Sequence, residues 1–138
     1  MVALPTRTQP RWQARLSWAG LLLLCSAYLQ GGLAKALDFP AALAEMQHFG
    51  VAPAAPMALA TIVLELGASL MVLANFHRRP AALALGAFTL VATFLANRFW
   101  EIQGAERLVA ANGFFEHLGL AGAFLLVACL HGNPSDED

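Results

Sequence analysis

A single carboxylate in the middle of a long apolar stretch is the most informative residue of this sequence. Glu65 lies within the mostly apolar run 57–76, and Thr61 and Ser69 stand four residues before and after it. Residues four apart share one face of a helix, so these three side chains form a polar stripe. If that helix crosses a membrane, the charge costs on the order of 3 kcal/mol and needs a partner. A carboxylate in this setting can exchange protons or hydrogen-bond a bound ligand.

Further ionisable and amide side chains stand at matching ends of the other apolar stretches. Arg98 is the cation at comparable depth and is the predicted partner of Glu65, and His117 opens the last stretch. We predict Glu65, Arg98 and His117 as catalytic residues that exchange protons or hydrogen-bond a carbonyl oxygen. The predicted substrate-binding residues beside them are Lys35, Asp38, Asn97, Trp100, Glu101 and Glu116.

The distribution of these residues favours a shared polar pocket. All four stretches carry polar groups at one end, whereas the opposite halves of the stretches are nearly free of charge. Charged side chains that only reach for lipid headgroups would populate both ends about equally. The alternative is that the cluster only fixes the register of the helices. A metal site is not predicted, because His48, Glu116 and His117 follow no zinc or copper spacing.

The elements that must position these side chains are membrane-spanning helices. The chain of 138 residues is 59% hydrophobic and 12% charged, whereas a soluble domain is about 25% charged. A soluble helical bundle is the alternative, but its helices would each carry a polar stripe facing water, and the first stretch has none. We predict an all-α integral membrane four-helix bundle, one transmembrane domain over residues 1–138, with a short interfacial helix in the first outer loop. The predicted spans are 16–34, 57–76, 81–100 and 114–130, and the interfacial helix is 40–49.

The arginines predict the orientation of the bundle. Lys35 and Arg107 lie on one side, offset by several acids, and the other side carries the larger group of arginines, Arg7, Arg11, Arg15, Arg78 and Arg79. Because such residues concentrate on the cytoplasmic side, both termini are predicted to be cytoplasmic and the pocket to open outward. No basic face indicates nucleic-acid binding.

Several segments, in their order and spacing, resemble the DoxX family of small four-helix bacterial membrane proteins. They are the K-x-x-D of 35–38 followed by a loop helix and GVAPAAP, the acid in ATIVLELGASLMVL, NRFW at 97–100 and FFEHLGLAGAFLL at 114–126. The resemblance spans most of the chain from Leu16 to Leu130. Two departures concern the pocket. Glu116 and His117 stand where many members carry Lys-Asn, and Asn97 stands where a histidine is frequent.

The resemblance implies a membrane redox partnership in the bacterial inner (plasma) membrane. Family members are described as subunits of membrane oxidoreductase systems that feed quinone, and distant relatives act as assembly factors or cargo receptors. The first hypothesis is therefore a subunit that binds quinone or another lipophilic carrier in the outward pocket. The sequence has no C-x-x-C motif, haem-ligand pair or nucleotide fingerprint, so electrons would come from a partner protein in a redox complex. If the chain is an enzyme, it is a quinone-linked oxidoreductase.

A second hypothesis from another class stays open. It is a non-catalytic membrane scaffold, assembly factor or cargo receptor, in which the polar cluster serves helix packing alone. Small residues such as Gly119 and Ala123 allow close helix approach and fit either bundle packing or a homodimer. The residues alone do not separate these hypotheses.

Overall fold

The computed structural model describes residues 10–130, and these form five α-helices and one short 3-10 turn. Arg7, which contributed to the predicted orientation, lies outside the described residues. The helices are α1 (Arg11–Leu37), α2 (Phe39–His48), α3 (Ala54–Leu73), α4 (Arg78–Ala96) and α5 (Ala105–Leu130), with the 3-10 turn at Phe99–Glu101 between α4 and α5.

Within the described residues, four helices are long and apolar enough to cross a bilayer: α1, α3, α4 and α5. Each also presents large apolar side chains on the outer surface of the bundle, including Leu23, Val63, Phe94 and Leu126, which are each more than half exposed. In water such a surface would be unfavourable, whereas in lipid it is the surface that a spanning helix needs. The predicted all-α membrane bundle is confirmed.

The spanning helices pack in chain order, with α1 against α3, α3 against α4, and α4 against α5. The ring closes where Tyr28 of α1 meets Phe124 of α5 edge to face, with ring centroids 5.2 Å apart. Phe124 and Leu85 are fully buried at the centre of the main core, together with Cys25 and Val72. Consecutive helices are antiparallel neighbours, so the end of α1, the start of α3, the end of α4 and the start of α5 meet at one end of the bundle.

Helix α2 lies at that same end and packs mainly on α3. The Asp38 carboxylate accepts a hydrogen bond from the Ala41 backbone N–H at 3.1 Å, which caps the first turn, and Pro40 fits that turn because it needs no N–H partner. Ala42 and Met46 are buried against Ala58 in a small separate core. The sequence predicted a short interfacial helix at 40–49, and the structure has a helix there whose Met46 side chain is buried against α3.

The helix ends differ from the predicted spans where hydropathy is a poor guide. Helix α5 begins at Ala105, nine residues before the predicted 114, so most of the predicted loop 101–113 is helical. Helix α4 ends at Ala96, four residues before the predicted 100, and Asn97 leaves the helix with φ −118° and ψ 43°. The residues that follow therefore no longer obey helical periodicity.

Candidate functional site

A cavity of about 620 Å³ opens between the helices at the end of the bundle that carries α2. Most of its wall is apolar, with Met46, Leu64, Phe88 and Leu120 among the contributors. From Lys35 near its α2 end to Tyr28 the cavity follows seven residues of α1, or about 10 Å of helix at 1.5 Å per residue. The polar and charged residues of the lining are Tyr28, Lys35, Glu45, Thr61, Glu65, Thr89, Glu116 and His117.

An ion pair between α1 and α3 forms one wall. The Lys35 Nζ atom lies 3.4 Å from Glu65 Oε2, and the two side chains are only 15% and 8% exposed. Glu45 of α2 adds a second carboxylate oxygen 3.9 Å from the same ammonium. Because the two main partners are nearly removed from water, solvent screens their attraction far less than that of a surface pair.

One glycine of α1, Gly32, allows the close approach of α3 that brings Glu65 to Lys35. A Cβ at Gly32 would lie 2.8 Å from the Leu66 side chain and 3.1 Å from Glu65 Cβ, both closer than ordinary contacts. A Cβ at the neighbouring Gly31 would meet Glu65 Oε1 and Lys35 Nζ at 3.4 and 3.6 Å, which are ordinary contact distances. Gly32 therefore lets α3 come close enough for its carboxylate to lie along α1.

The inner end of the cavity carries a hydrogen-bonded pair of hydroxyls. The Tyr28 Oη and Thr89 Oγ1 atoms are 2.5 Å apart, and the Thr89 hydroxyl also donates to the Leu85 carbonyl oxygen at 2.7 Å. Tyr28 and Thr89 are 6% and 1% exposed. This contact links α1 to α4 across the bundle and places two polar atoms at the inner end of the cavity.

Helix α5 contributes an imidazole of defined orientation. The His117 Nδ1 atom lies 2.6 Å from the Gly113 carbonyl oxygen of the preceding turn. A carbonyl oxygen only accepts hydrogen bonds, so Nδ1 carries a proton. The ring is thereby fixed against its own helix and leaves Nε2 as the nitrogen available to a ligand in the cavity.

The sequence pattern of the DoxX family matches residues 20–98, more than half of the chain. The chain belongs to the DoxX family. It is also similar to the inner membrane protein YphA of Escherichia coli (strain K12), with 26% identity over 97 residues, 70% of this chain and 69% of YphA. No solved structure matches the chain significantly. With four long apolar helices in its described part, this DoxX protein is a multi-pass membrane protein.

Four of the predicted site residues of this DoxX protein line the one cavity. They are Glu65 and His117, predicted as catalytic, and Lys35 and Glu116, predicted to bind substrate. Residues 20–98 of the family match include the ion pair but not the two α5 residues. Tyr28 and Glu45 also line the cavity and were not predicted. Tyr28 was available as the one tyrosine of the sequence, seven residues before Lys35 on the same helix.

The predicted pairing of Glu65 with Arg98 is wrong. Arg98 instead lies 3.3 Å from Glu101 Oε2, in a pair whose side chains are 49% and 53% exposed. The physical reason is the early end of α4 at Ala96, because Arg98 then lies outside the helix whose geometry would have directed its side chain toward α3. Lys35 provides the neutralising charge for Glu65.

The other predicted residues lie at the same end of the bundle but outside the lining of this cavity. Asp38 caps α2. The Asn97 amide donates to Thr93 Oγ1 at 3.3 Å and packs over Gly113. Trp100 joins an aromatic cluster between α4 and α5, with its ring 5.6 Å from that of Phe114. The remaining two, Arg98 and Glu101, border a second, smaller cavity of about 320 Å³.

Proposed function

We propose that this DoxX protein is the membrane subunit of an oxidoreductase system and binds a quinone or a similar lipophilic carrier in the cavity between its helices. One observation carries the proposal: an apolar space of about 620 Å³ that has polar groups at defined points of its wall. Ligand pockets typically measure about 300–1,000 Å³ and combine an apolar lining with a few well-placed polar groups. A quinone, with a flat apolar ring and polar oxygens, suits such a space.

The proposed roles follow from position in the cavity. Lys35 and Glu65 form a charged wall beside which a ring oxygen can lie, and His117 of α5 offers Nε2. Arg98 keeps no direct role, because it borders the smaller neighbouring cavity. Electrons would pass between the carrier and a protein partner, which fits the redox complexes that the family resemblance implies.

The membrane orientation is part of the proposal. Both termini are cytoplasmic and α2 lies at the outer surface of the inner membrane, so the cavity opens toward the outside. The proposal relies on the arginines at the other end of the bundle, among them Arg78 and Arg79 at the start of α4.

A pair of size-matched variants on α4 tests the binding proposal. Ala92 lines the cavity, whereas Ala87 is exposed on the outer surface of the same helix. In protein reconstituted into lipid nanodiscs, Ala92→Phe should abolish binding of a short-chain alkyl benzoquinone, and Ala87→Phe should leave it within about twofold of the original affinity. Thermal unfolding of both variants checks that the fold survives. Equal affinities for the two variants, or no binding of the benzoquinone or its hydroquinone by the original protein, would overturn the proposal.

The scaffold hypothesis is also supported by an observation, the Lys35–Glu65 pair that bridges α1 and α3. A cluster that only fixes helix packing would give Lys35→Met and Glu65→Gln variants with lowered stability. In the redox proposal the same variants change the affinity for the benzoquinone or its hydroquinone by at least about tenfold at a temperature where they remain folded. Unchanged binding by folded variants would favour the scaffold.

A further inference from the structure

In the hydrogen bond between Tyr28 and Thr89 at the inner end of the cavity, the donor and the acceptor can be assigned from the available protons. A threonine hydroxyl has one proton, and that of Thr89 is donated to the Leu85 carbonyl oxygen at 2.7 Å. The proton in the 2.5 Å contact between Tyr28 and Thr89 therefore comes from Tyr28. The phenol has no second proton to give, so Tyr28 Oη meets a ligand as a hydrogen-bond acceptor. A ligand carbonyl could receive a proton from Tyr28 only if both of these hydrogen bonds rearranged.

The imidazole of α5 presents an acceptor as well. Since Nδ1 of His117 donates to the Gly113 carbonyl oxygen at 2.6 Å, the neutral ring exposes the lone pair of Nε2. Two acceptors of different chemistry thus belong to the same cavity lining, one from α1 and one from α5.

The charged residues of the lining support the same conclusion, that the cavity is rich in hydrogen-bond acceptors. Three carboxylates, Glu45, Glu65 and Glu116, border the cavity, and Lys35 is the one lysine or arginine among the described lining residues. The Lys35 ammonium is already held between Glu45 and Glu65, at 3.9 and 3.4 Å. A carboxylate accepts hydrogen bonds and donates none. The wall therefore offers more acceptors than donors, and its strongest donor, the Lys35 ammonium, is already paired with two carboxylates.

We infer that the cavity selects a ligand that donates hydrogen bonds, and so takes the reduced, hydroxyl-bearing form of an aromatic carrier in preference to its quinone. A hydroquinone carries two O–H donors on opposite sides of one ring, and the corresponding quinone carries two acceptors in their place. Placed against a wall of acceptors, the quinone leaves polar groups unpaired, and unpaired buried groups are the strongest basis for rejecting a close analogue. This inference rests on the proposed function and specifies its ligand.

Three ligands with a common ring and tail separate the inference from the proposal. They are a short-chain alkyl hydroquinone, its dimethyl ether and the corresponding benzoquinone, with the hydroquinone kept under anaerobic, reducing conditions. In nanodiscs the hydroquinone should bind at least about tenfold more tightly than either of the other two. Equal affinities, or tighter binding of the quinone, would overturn the inference while the proposed function stands. No binding of any of the three would contradict the proposed function itself.

A conservative variant tests the role of Tyr28. Tyr28→Phe keeps the ring that packs on Phe124 and removes the hydroxyl, with its acceptor oxygen and its hydrogen bond to Thr89. We expect it to weaken hydroquinone binding about tenfold and to leave benzoquinone binding within about twofold. Thr93→Val is the matched control. Thr93 is fully buried on α4, one turn after Thr89, and does not line the cavity. A Tyr28→Phe variant that loses affinity for all three ligands equally would show a structural role and refute the assignment.

Discussion

Replacing Lys35 by methionine is expected to destabilise the bundle because it leaves the Glu65 carboxylate without its cation. The two charges are 3.4 Å apart and their side chains are 15% and 8% exposed. At an effective dielectric constant of about 20, unit charges at this distance attract by about 5 kcal/mol. Desolvation of both groups offsets much of that attraction, so the net value of the pair is small, but loss of one partner leaves the desolvation cost of the other. By analogy with buried pairs in soluble proteins, that loss is about 3–5 kcal/mol.

A double-mutant cycle isolates the pair. Lys35→Met and Glu65→Met should each lower the free energy of unfolding by several kcal/mol, and the double variant should recover most of the loss because no unpaired charge remains. The measurement is unfolding in mixed detergent micelles, followed by the loss of helical circular dichroism. The matched control is the exposed pair of Arg98 and Glu101, whose substitutions should each cost under about 1 kcal/mol.

Strictly additive losses for Lys35 and Glu65 would refute the reasoning. So would a coupling of Glu65 to Arg98 that exceeds its coupling to Lys35, since that result would restore the pairing that the sequence suggested. The same kind of measurement tests whether Lys35 has a second partner. If Glu45 competes for the ammonium at 3.9 Å, Glu45→Gln should change stability little in the original protein and more in the Glu65→Met background.

Two further predictions concern the packing of α1 and the orientation of the bundle. Gly32→Ala should destabilise the bundle by about 1–3 kcal/mol, because its Cβ would lie 2.8 Å from Leu66. Gly119→Ala is the control: its Cβ would have nothing within 4 Å, so stability should change by no more than about 1 kcal/mol in either direction. Equal unfolding midpoints for the two variants would contradict the close approach of α1 to α3. A reporter that is active only outside the cytoplasm should be active when fused after Phe49 and inactive after Pro80, and the reverse pattern would place the cavity at the cytoplasmic face.

The spanning helices could be predicted because membrane insertion constrains sequence strongly. About 20 apolar residues and internal backbone pairing are required of every span, and the runs around Glu65 and Thr89 meet both conditions. The ends of the helices could not be predicted in the same way. Hydropathy marks the part of a helix that lies in hydrocarbon, whereas α5 begins nine residues earlier, in a segment that carries Glu106 and Arg107. Hydrogen bonding, not hydropathy, determines where that helix starts.

Four of the predicted site residues line one cavity, and one predicted contact, that of Glu65 with Arg98, is wrong. Depth along the helices was enough to bring Glu65 and His117 to the same cavity. Depth alone could not choose between Lys35 and Arg98 as partner, because both lie near the same end of the bundle. The choice was made by a local backbone event, the end of α4 at Ala96, and by a missing side chain on α1 at Gly32, which lets α3 approach. Neither has a signature in hydropathy or charge.

Glycines on the neighbouring helices explain how the polar residues at this end of the bundle separate into two groups. The Glu65 side chain lies along α1 at Gly32, where a Cβ would be 3.1 Å from Glu65 Cβ. The Asn97 amide lies on α5, where a Cβ at Gly113 would be 2.9 Å from its Oδ1 atom. Each polar side chain is therefore accommodated where the adjacent helix has no Cβ. Glu65 remains beside the cavity because α1 also borders it, whereas Asn97 is turned into the α4–α5 contact and held there by Thr93. Polar residues near one end of a helix therefore do not by themselves predict a shared site, because the small residues of the facing helices decide which of them can reach it.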